Sequence, residues 1–185
     1  MPRFDEDWID SMLQNDRRGS PPAEETLRDI GLHRGDVVAD IGSGPGFFTI
    51  PALQFVAPTG WVHAIDREPR MLSVVESHAR EQRLDRLQTH LATGAQIPLA
   101  DASVDVTICS LLLHDVESRE TFVAELGRIT RPHGRIVVVE WIPEPNETRP
   151  NRIAPDLTVS LFESIGRVVQ INRSIGPRQY LVVAQ

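Results

Sequence analysis

At 185 residues, with 41% hydrophobic and 24% charged side chains, Gly 12 and Pro 14, the chain has the composition of one soluble globular domain able to bury roughly 70% of the surface its unfolded form exposes. A net charge of −7 and a pI near 5.3 argue against a broad nucleic-acid surface and for a small-molecule partner. All 19 basic residues are arginine, which excludes Schiff-base and lysine-base chemistry, and the single Cys109 excludes an internal disulfide, a cysteine-based zinc site and a multi-thiolate iron–sulfur cluster.

The acidic start MPRFDEDWIDSM lacks the basic and apolar regions of a targeting segment, and no apolar run approaches a membrane span. A cytoplasmic monomer or homodimer is expected, folded as a single domain over 1–185 with an N-terminal helical extension over 1–35 and a core over 36–185. The extension carries Phe4, Trp8, Ile9 and Leu13 on an amphipathic start, then a helix Ala23–Ile30 introduced by Ser20 and Pro21. Phe4 and Trp8 either close over a pocket as a lid or pack the helix onto the core.

From residue 37 short apolar runs alternate with helical stretches, the pattern of an α/β fold with a mostly parallel sheet. Strands are predicted at Val37–Ile41, Trp61–Ile65, Leu87–Leu91, Val104–Cys109 and Arg135–Trp141, their near-continuous apolar character suiting a sheet covered on both faces. Helices are predicted at Phe47–Val56, Pro69–Gln82 and Arg119–Arg131, the last with Phe122, Val123, Leu126 and Ile129 at helical spacing. Residues 143–155 hold four prolines and read as a loop. A helix Asp156–Ile165 ends at Gly166, and Val168–Asn172 and Tyr180–Ala184 make two more strands, seven in all. The link Ser174–Pro177 is too short for a crossover helix, so the sheet should end in an antiparallel hairpin.

The richest stretch is VVADIGSGPGFFTIPA, a strand running through Gly42, Gly44 and Gly46 into a helix. A plain tight turn needs one or two glycines; three at alternate positions fit a backbone that a ligand approaches closely. The G-x-G-x-x-G fingerprint for NAD fails, because Phe47 stands where its third glycine belongs. Asp40 at the strand end would repel a pyrophosphate and can hold a cationic amino group. Asp66 ends the next strand, where a carboxylate can accept from both hydroxyls of a ribose or cap the following helix.

These residues resemble the class I S-adenosylmethionine-dependent methyltransferases, of the type-11 branch that includes ubiquinone/menaquinone-biosynthesis-like enzymes. The resemblance covers roughly residues 20–185 and rests on VADIGSGPG, AIDREPRML, IPLADASVDVTICSLLLHDV and LGRITRPHGRIVVVEW. It implies a Rossmann-like sheet with S-adenosyl-L-methionine bound at its carboxyl edge and released as S-adenosyl-L-homocysteine. It implies Gly42, Gly44 and Gly46 at the methionine portion, with Asp40 near the amino group and the Ser110 carbonyl beside it. It further implies Asp66 on the ribose and Arg67 by the adenine. Ala95 stands where the family often has an acid for the adenine amino group, and Gln96 could substitute. Pro132-His133-Gly134 replaces the family's Pro-Gly-Gly and is expected to form a turn in which His133 tolerates an unusual φ.

Methyl transfer mainly requires alignment, and a base only where the acceptor loses a proton of high pKa. His114 with Asp115, just past the fourth strand, is the catalytic candidate; a loop histidine packed beside the cofactor is the alternative. Trp8, Glu140 and Trp141 are candidates to line the acceptor site, and no metal is expected. The leading expectation is a methyltransferase acting on a small-molecule acceptor. The alternative is a catalytically silent S-adenosylmethionine-binding regulatory or assembly protein. An arsenite-type acceptor is disfavoured by the lone thiol, and His63, His78, His90 and His133 carry no pattern beyond surface or turn roles.

Overall fold

The computed structural model describes residues 6–13, 21–92, 96–144 and 152–185. Seven strands form one sheet: β1 Val37–Ile41, β2 Trp61–Asp66, β3 Leu87–Leu91, β4 Val104–Ser110, β5 Thr130–Trp141, β6 Val169–Ile175 and β7 Gln179–Ala184. Their order across the sheet is β3-β2-β1-β4-β5-β7-β6. The first five run parallel, and β7 pairs antiparallel with both β5 and β6. The chain therefore steps outward from β1 to β3 and returns to lay β4 beside β1. At such a reversal the loops leaving the two strands diverge and open a crevice at their carboxyl ends.

Among the described residues six α-helices surround the sheet: α1 Glu6–Leu13, α2 Ala23–Asp29, α3 Thr49–Val56, α4 Pro69–Glu81, α5 Arg119–Ile129 and α6 Pro155–Ser164. On one face Leu27, Leu53, Leu72 and Val75 from α2, α3 and α4 pack against Val38, Val62, Val106 and Val137. On the other, Val123, Leu126 and Phe162 from α5 and α6 pack against Ala39, Ile65, Cys109 and Val138. Successive strand residues point to opposite faces, so covering both requires the unbroken apolar runs seen in the sequence. The helix expected from Phe47 begins at Thr49, leaving Phe47 and Phe48 in the turn.

The expected turn at Pro132-His133-Gly134 takes a different form. Val104 lies opposite Thr130 and Val106 opposite Arg135, so two steps along β4 match five along β5 and the surplus bulges out within one strand. His133 is not among the residues with positive φ, so no unusual backbone is needed there. The bulge is held by the Arg167 guanidinium, which donates to the carbonyls of Gly127, Thr130, Arg131, Pro132 and Gly134 at 3.0–3.3 Å. Five fixed donors on a planar fork suit this role as a lysine would not. Arg135 likewise ties β5 to the end of α2, donating to the carbonyls of Ile30 and Gly31 and to Asp36.

Candidate functional site at the carboxyl edge of the sheet

The glycine turn lies at the reversal between β1 and β4. The amides of Gly42 and Ser43 both donate to the Ile65 carbonyl, at 2.8 and 3.0 Å, pinning the turn to the end of β2. Gly42, Gly44 and Gly46 have φ of +72°, +53° and +103°, a region costly for any residue with a Cβ. Their surroundings differ. A Cβ on Gly46 would come within 3.2 Å of both Ile50 and Val75, so this glycine lets α3 and α4 close together. A Cβ on Gly42 would meet Leu112 at 2.8 Å, and one on Gly44 would meet the Met12 methyl at 3.3 Å. Helix α1 therefore lies against the glycine turn, a placement that sequence reasoning did not specify.

Asp40 points into the protein from the end of β1, 2% exposed, and accepts a hydrogen bond from Thr49 Oγ1 at 2.6 Å. Burial raises its pKa to about 7, the Thr49 bond opposing and the nearby Asp66 charge reinforcing the shift. Asp66 is half-buried; its Oδ2 accepts from Gly44 N–H at 2.8 Å and its Oδ1 from Glu68 N–H at 2.9 Å. The capping role open to Asp66 is filled by Glu68, whose side chain accepts from Arg70 N–H at the start of α4. The Asp66 carboxylate instead faces the glycine turn. In the turn itself the Ser43 hydroxyl is buried and meets no hydrogen-bond partner among the described residues.

His114 sits in a short 3-10 turn, Leu113–Asp115, after β4. Its ring bonds Glu140, Nδ1 lying 2.8 Å from Oε2, and makes a longer ion-pair contact with its neighbour, Nε2 lying 3.6 Å from Asp115 Oδ2 on a side chain 60% exposed. Glu140 has no exposed surface and also accepts from the backbone amides of His114, at 3.3 Å, and Trp141, at 3.2 Å. The Glu140 hydrogen bond raises the His114 pKa above its ordinary 6.5, with help from the charges of Glu140 and Asp115; burial and the Arg152 charge act against it. Trp141 is buried beneath the Arg152 guanidinium, 5.3 Å from the ring centre. No sequence spacing foretold the Glu140 and Arg152 contacts.

Ser110, the last residue of β4, and Leu111 after it border a small cleft, which Phe47, Phe48, Val139 and Gln179 also line. Phe47 and Phe48 meet edge to face at 5.1 Å. Arg67 and Gln96 are exposed at the same edge. Ala95, Phe4 and most of the 143–155 loop lie outside the described residues, as does the side chain of Trp8 within α1. Among the described residues no three His, Cys, Asp or Glu side chains gather as metal ligands.

One unforeseen pair lies apart from this edge. His63 Nδ1 and His90 Nε2, on adjacent strands, are 3.0 Å apart. Burial, and then the neighbouring His90, lower the His63 pKa to about 4; burial lowers that of His90. The unfolded chain takes up a proton at His63 below about 6.5 while the folded chain resists until about 4, so stability falls as pH drops through that window. Thermal melts of His63→Gln are expected to show a weaker loss between these limits than the parent protein.

A reversed parallel sheet with a glycine turn, and an acid at the end of each of its first two strands, is the arrangement of a Rossmann-like nucleotide-binding fold. The family model for the methyltransferase domain matches residues 39–138, which span β1 to β5, and the chain belongs to that family, the type-11 branch of the class I S-adenosylmethionine-dependent methyltransferases. It is 30% identical over 118 residues to an arsenite methyltransferase of Halobacterium salinarum, covering 62% of this chain and 30% of that protein. It is 26% identical over 117 residues to a demethylmenaquinone methyltransferase of a Geobacillus species, covering 63% and 50%. The chain thus spans half or less of the length of these two curated relatives. In fold it is similar to a SAM-dependent methyltransferase from Aquifex aeolicus (TM-score 0.86, 23% identity, 98% of each chain). It is also similar to the [4+2]-cyclase SpnF (TM-score 0.75, 13% identity, 88% of this chain and 80% of that one).

Proposed function

We propose that this chain transfers a methyl group from S-adenosylmethionine to a small-molecule acceptor at the carboxyl edge of the sheet. The observation that carries the reading is the left-handed backbone of Gly42 and Gly44 framed by Asp40 and Asp66. The residues fit the cofactor: the turn presents backbone without Cβ atoms, the Ser43 hydroxyl awaits a partner, and a buried acid suits a cationic amino group. When bound, the cofactor supplies a methyl already activated by its sulfonium. Asp66 then holds the ribose hydroxyls, Arg67 flanks the adenine with Gln96, the Ser110 carbonyl takes the amino group with Asp40, and α1 covers the turn through Met12. The cleft at Phe47 and Phe48 and the ring of His114 mark the acceptor side.

The acceptor of the arsenite-methylating relative is not carried over. Cys109 is buried within β4, and burial raises its thiol well above the ordinary range, so a thiolate there is suppressed. Among the described residues no helix is long and apolar enough to cross a membrane.

Calorimetry with S-adenosylmethionine and S-adenosylhomocysteine tests the reading. Asp66→Ala removes the charged acceptor that both Gly44 N–H and the ribose would use, and is expected to weaken binding about tenfold or more. Gly44→Val forces a branched side chain to φ +53° against Met12 and is expected to abolish binding. Unchanged affinity in both variants would overturn the assignment.

A further inference from the structure

His63 on β2 and His90 on the edge strand β3 share the sheet face that carries Ile65. His63 lies two residues before Ile65, and His90 lies directly beside it in the register. On this face α5 packs over β4 and β5 and α6 over β6 and β7, and the two imidazoles at the β3 end are half-buried. His63 Nδ1 and His90 Nε2 are 3.0 Å apart, and the ring centres are 5.2 Å apart with the planes at 40°. Each ring therefore aims a nitrogen straight at the other, and one proton lies between them. Neutral imidazole nitrogen is also a favoured ligand of divalent transition metals. Ala39, beside His63 on β1, is too small to intrude on the pair, and Gln88, beside His63 on β3, is exposed. The guanidinium of Arg86, at the start of β3, lies over the Trp61 ring, 5.1 Å from its centre.

We propose that His63 and His90 chelate a divalent transition metal ion of the zinc class, with two oxygen ligands completing a tetrahedron. Zinc sits about 2.0–2.1 Å from an imidazole nitrogen, so two rings held at a tetrahedral angle have nitrogens about 3.3 Å and centres about 5.2 Å apart. The ring centres already stand at that separation. Each ring needs only to swing about its own centre, which opens the nitrogens by about 0.3 Å and turns both lone pairs onto one point. The step is a ligand exchange: the hydrated ion releases two waters as two nitrogens bind. The imidazole that carried the shared proton takes its other tautomer, so no net proton is released and nothing is oxidised or reduced. Among the described residues no carboxylate, thiol or further imidazole joins the pair, so water and the Gln88 amide oxygen are the available oxygen ligands. Magnesium and calcium, which take oxygen ligands, do not suit two nitrogens. The bound ion ties the edge strand β3 to β2, and the site is independent of the methyl-transfer reading.

Calorimetry with zinc chloride on protein cleared of metal by a chelator, together with nitrogen-15 spectra resolved by residue, tests the site. In the parent protein the ring nitrogens of His63 and His90 are expected to shift together as one ion binds, and magnesium chloride is expected to move neither. His63→Gln and His90→Gln should each weaken zinc binding at the pair by about tenfold or more, because the second imidazole acts on an ion already held beside it. His33→Gln removes a single exposed imidazole and should leave the zinc response of the pair unchanged. Should His63→Gln fail to fold, the variant on the edge strand and the spectra of the parent still decide. Zinc that shifts neither ring or only one of the two, binding at the pair that survives His90→Gln unchanged, or an equal response to magnesium overturns the proposal.

Discussion

Asp40→Asn is expected to stabilise the protein above pH 7 and at the same time weaken its hold on S-adenosylmethionine. In the folded chain the carboxyl keeps its proton to about pH 7, whereas in the unfolded chain it loses it near 3.8. Between those limits the folded state binds the extra proton, so stability falls as pH rises, by up to about 4 kcal/mol in total. Asparagine carries no such cost and can still accept from Thr49 Oγ1. The melting-temperature difference between variant and parent should therefore be small near pH 4, widen through pH 7 and level off above it. Cofactor affinity should move the other way: a cationic amino group favours the ionised carboxylate, so affinity in the parent rises with pH towards 7 while the variant binds weakly at every pH. Melts and calorimetry across that range check both signs. A destabilised variant at pH 8 would show that the buried carboxylate is better compensated than its surroundings indicate.

Gly60→Ala is expected to be the most damaging small substitution away from the site. A Cβ at Gly60 would lie 2.4 Å from the Asp36 carbonyl oxygen, 2.5 Å from Val56 Cβ and 2.8 Å from the Val56 carbonyl oxygen. Neither carbonyl is free to move. The Asp36 carbonyl accepts from Trp61 N–H at the start of the β1–β2 pairing, and the Val56 carbonyl accepts from both Gly35 and Gly60. Relief requires shifting backbone that sets the register of the two strands ending in Asp40 and Asp66. A loss of about 3 kcal/mol or more is expected, a melting-point drop on the order of 10 °C. Gly166→Ala is the control: nothing lies within 4 Å of its Cβ, and only φ of +78° opposes it, for a cost of about 1–2 kcal/mol. Equal melting points for the two alanine variants would refute the steric argument.

The strands and helices were legible because their signals are local. Val37–Ile41 and Leu87–Leu91 begin and end where the sequence places them. Pro69 opens α4 as a proline in a first helical turn should. The hairpin followed from loop length alone, since three residues between β6 and β7 cannot carry a crossover. The glycine turn was equally readable, because its chemistry lies in consecutive residues whose backbone only glycine adopts cheaply.

Contacts between distant segments were not legible. Sequence pairs His114 with Asp115; the hydrogen-bonded partner it does not show is Glu140, 26 positions away and brought alongside because β4 and β5 are neighbours in the sheet. His63 meets His90 for the same reason across β2 and β3. Glu140, expected to line the acceptor site, has no exposed surface and acts on its surroundings only through the groups that bond it. At Pro132-His133-Gly134 the turn residues are absorbed into β5 because Arg167, more than 30 residues on, supplies donors for their carbonyls.

By itself the sequence determined the α/β class, the seven strands and the glycine turn with its two acids, because hydrophobic period, turn chemistry and positive φ are properties of neighbouring residues. Only the tertiary structure decided which acid is buried and holds its proton, which carboxylate holds the histidine and what lies against Gly44. Those depend on desolvation and on side chains that meet across the sheet, and no spacing along the chain encodes them.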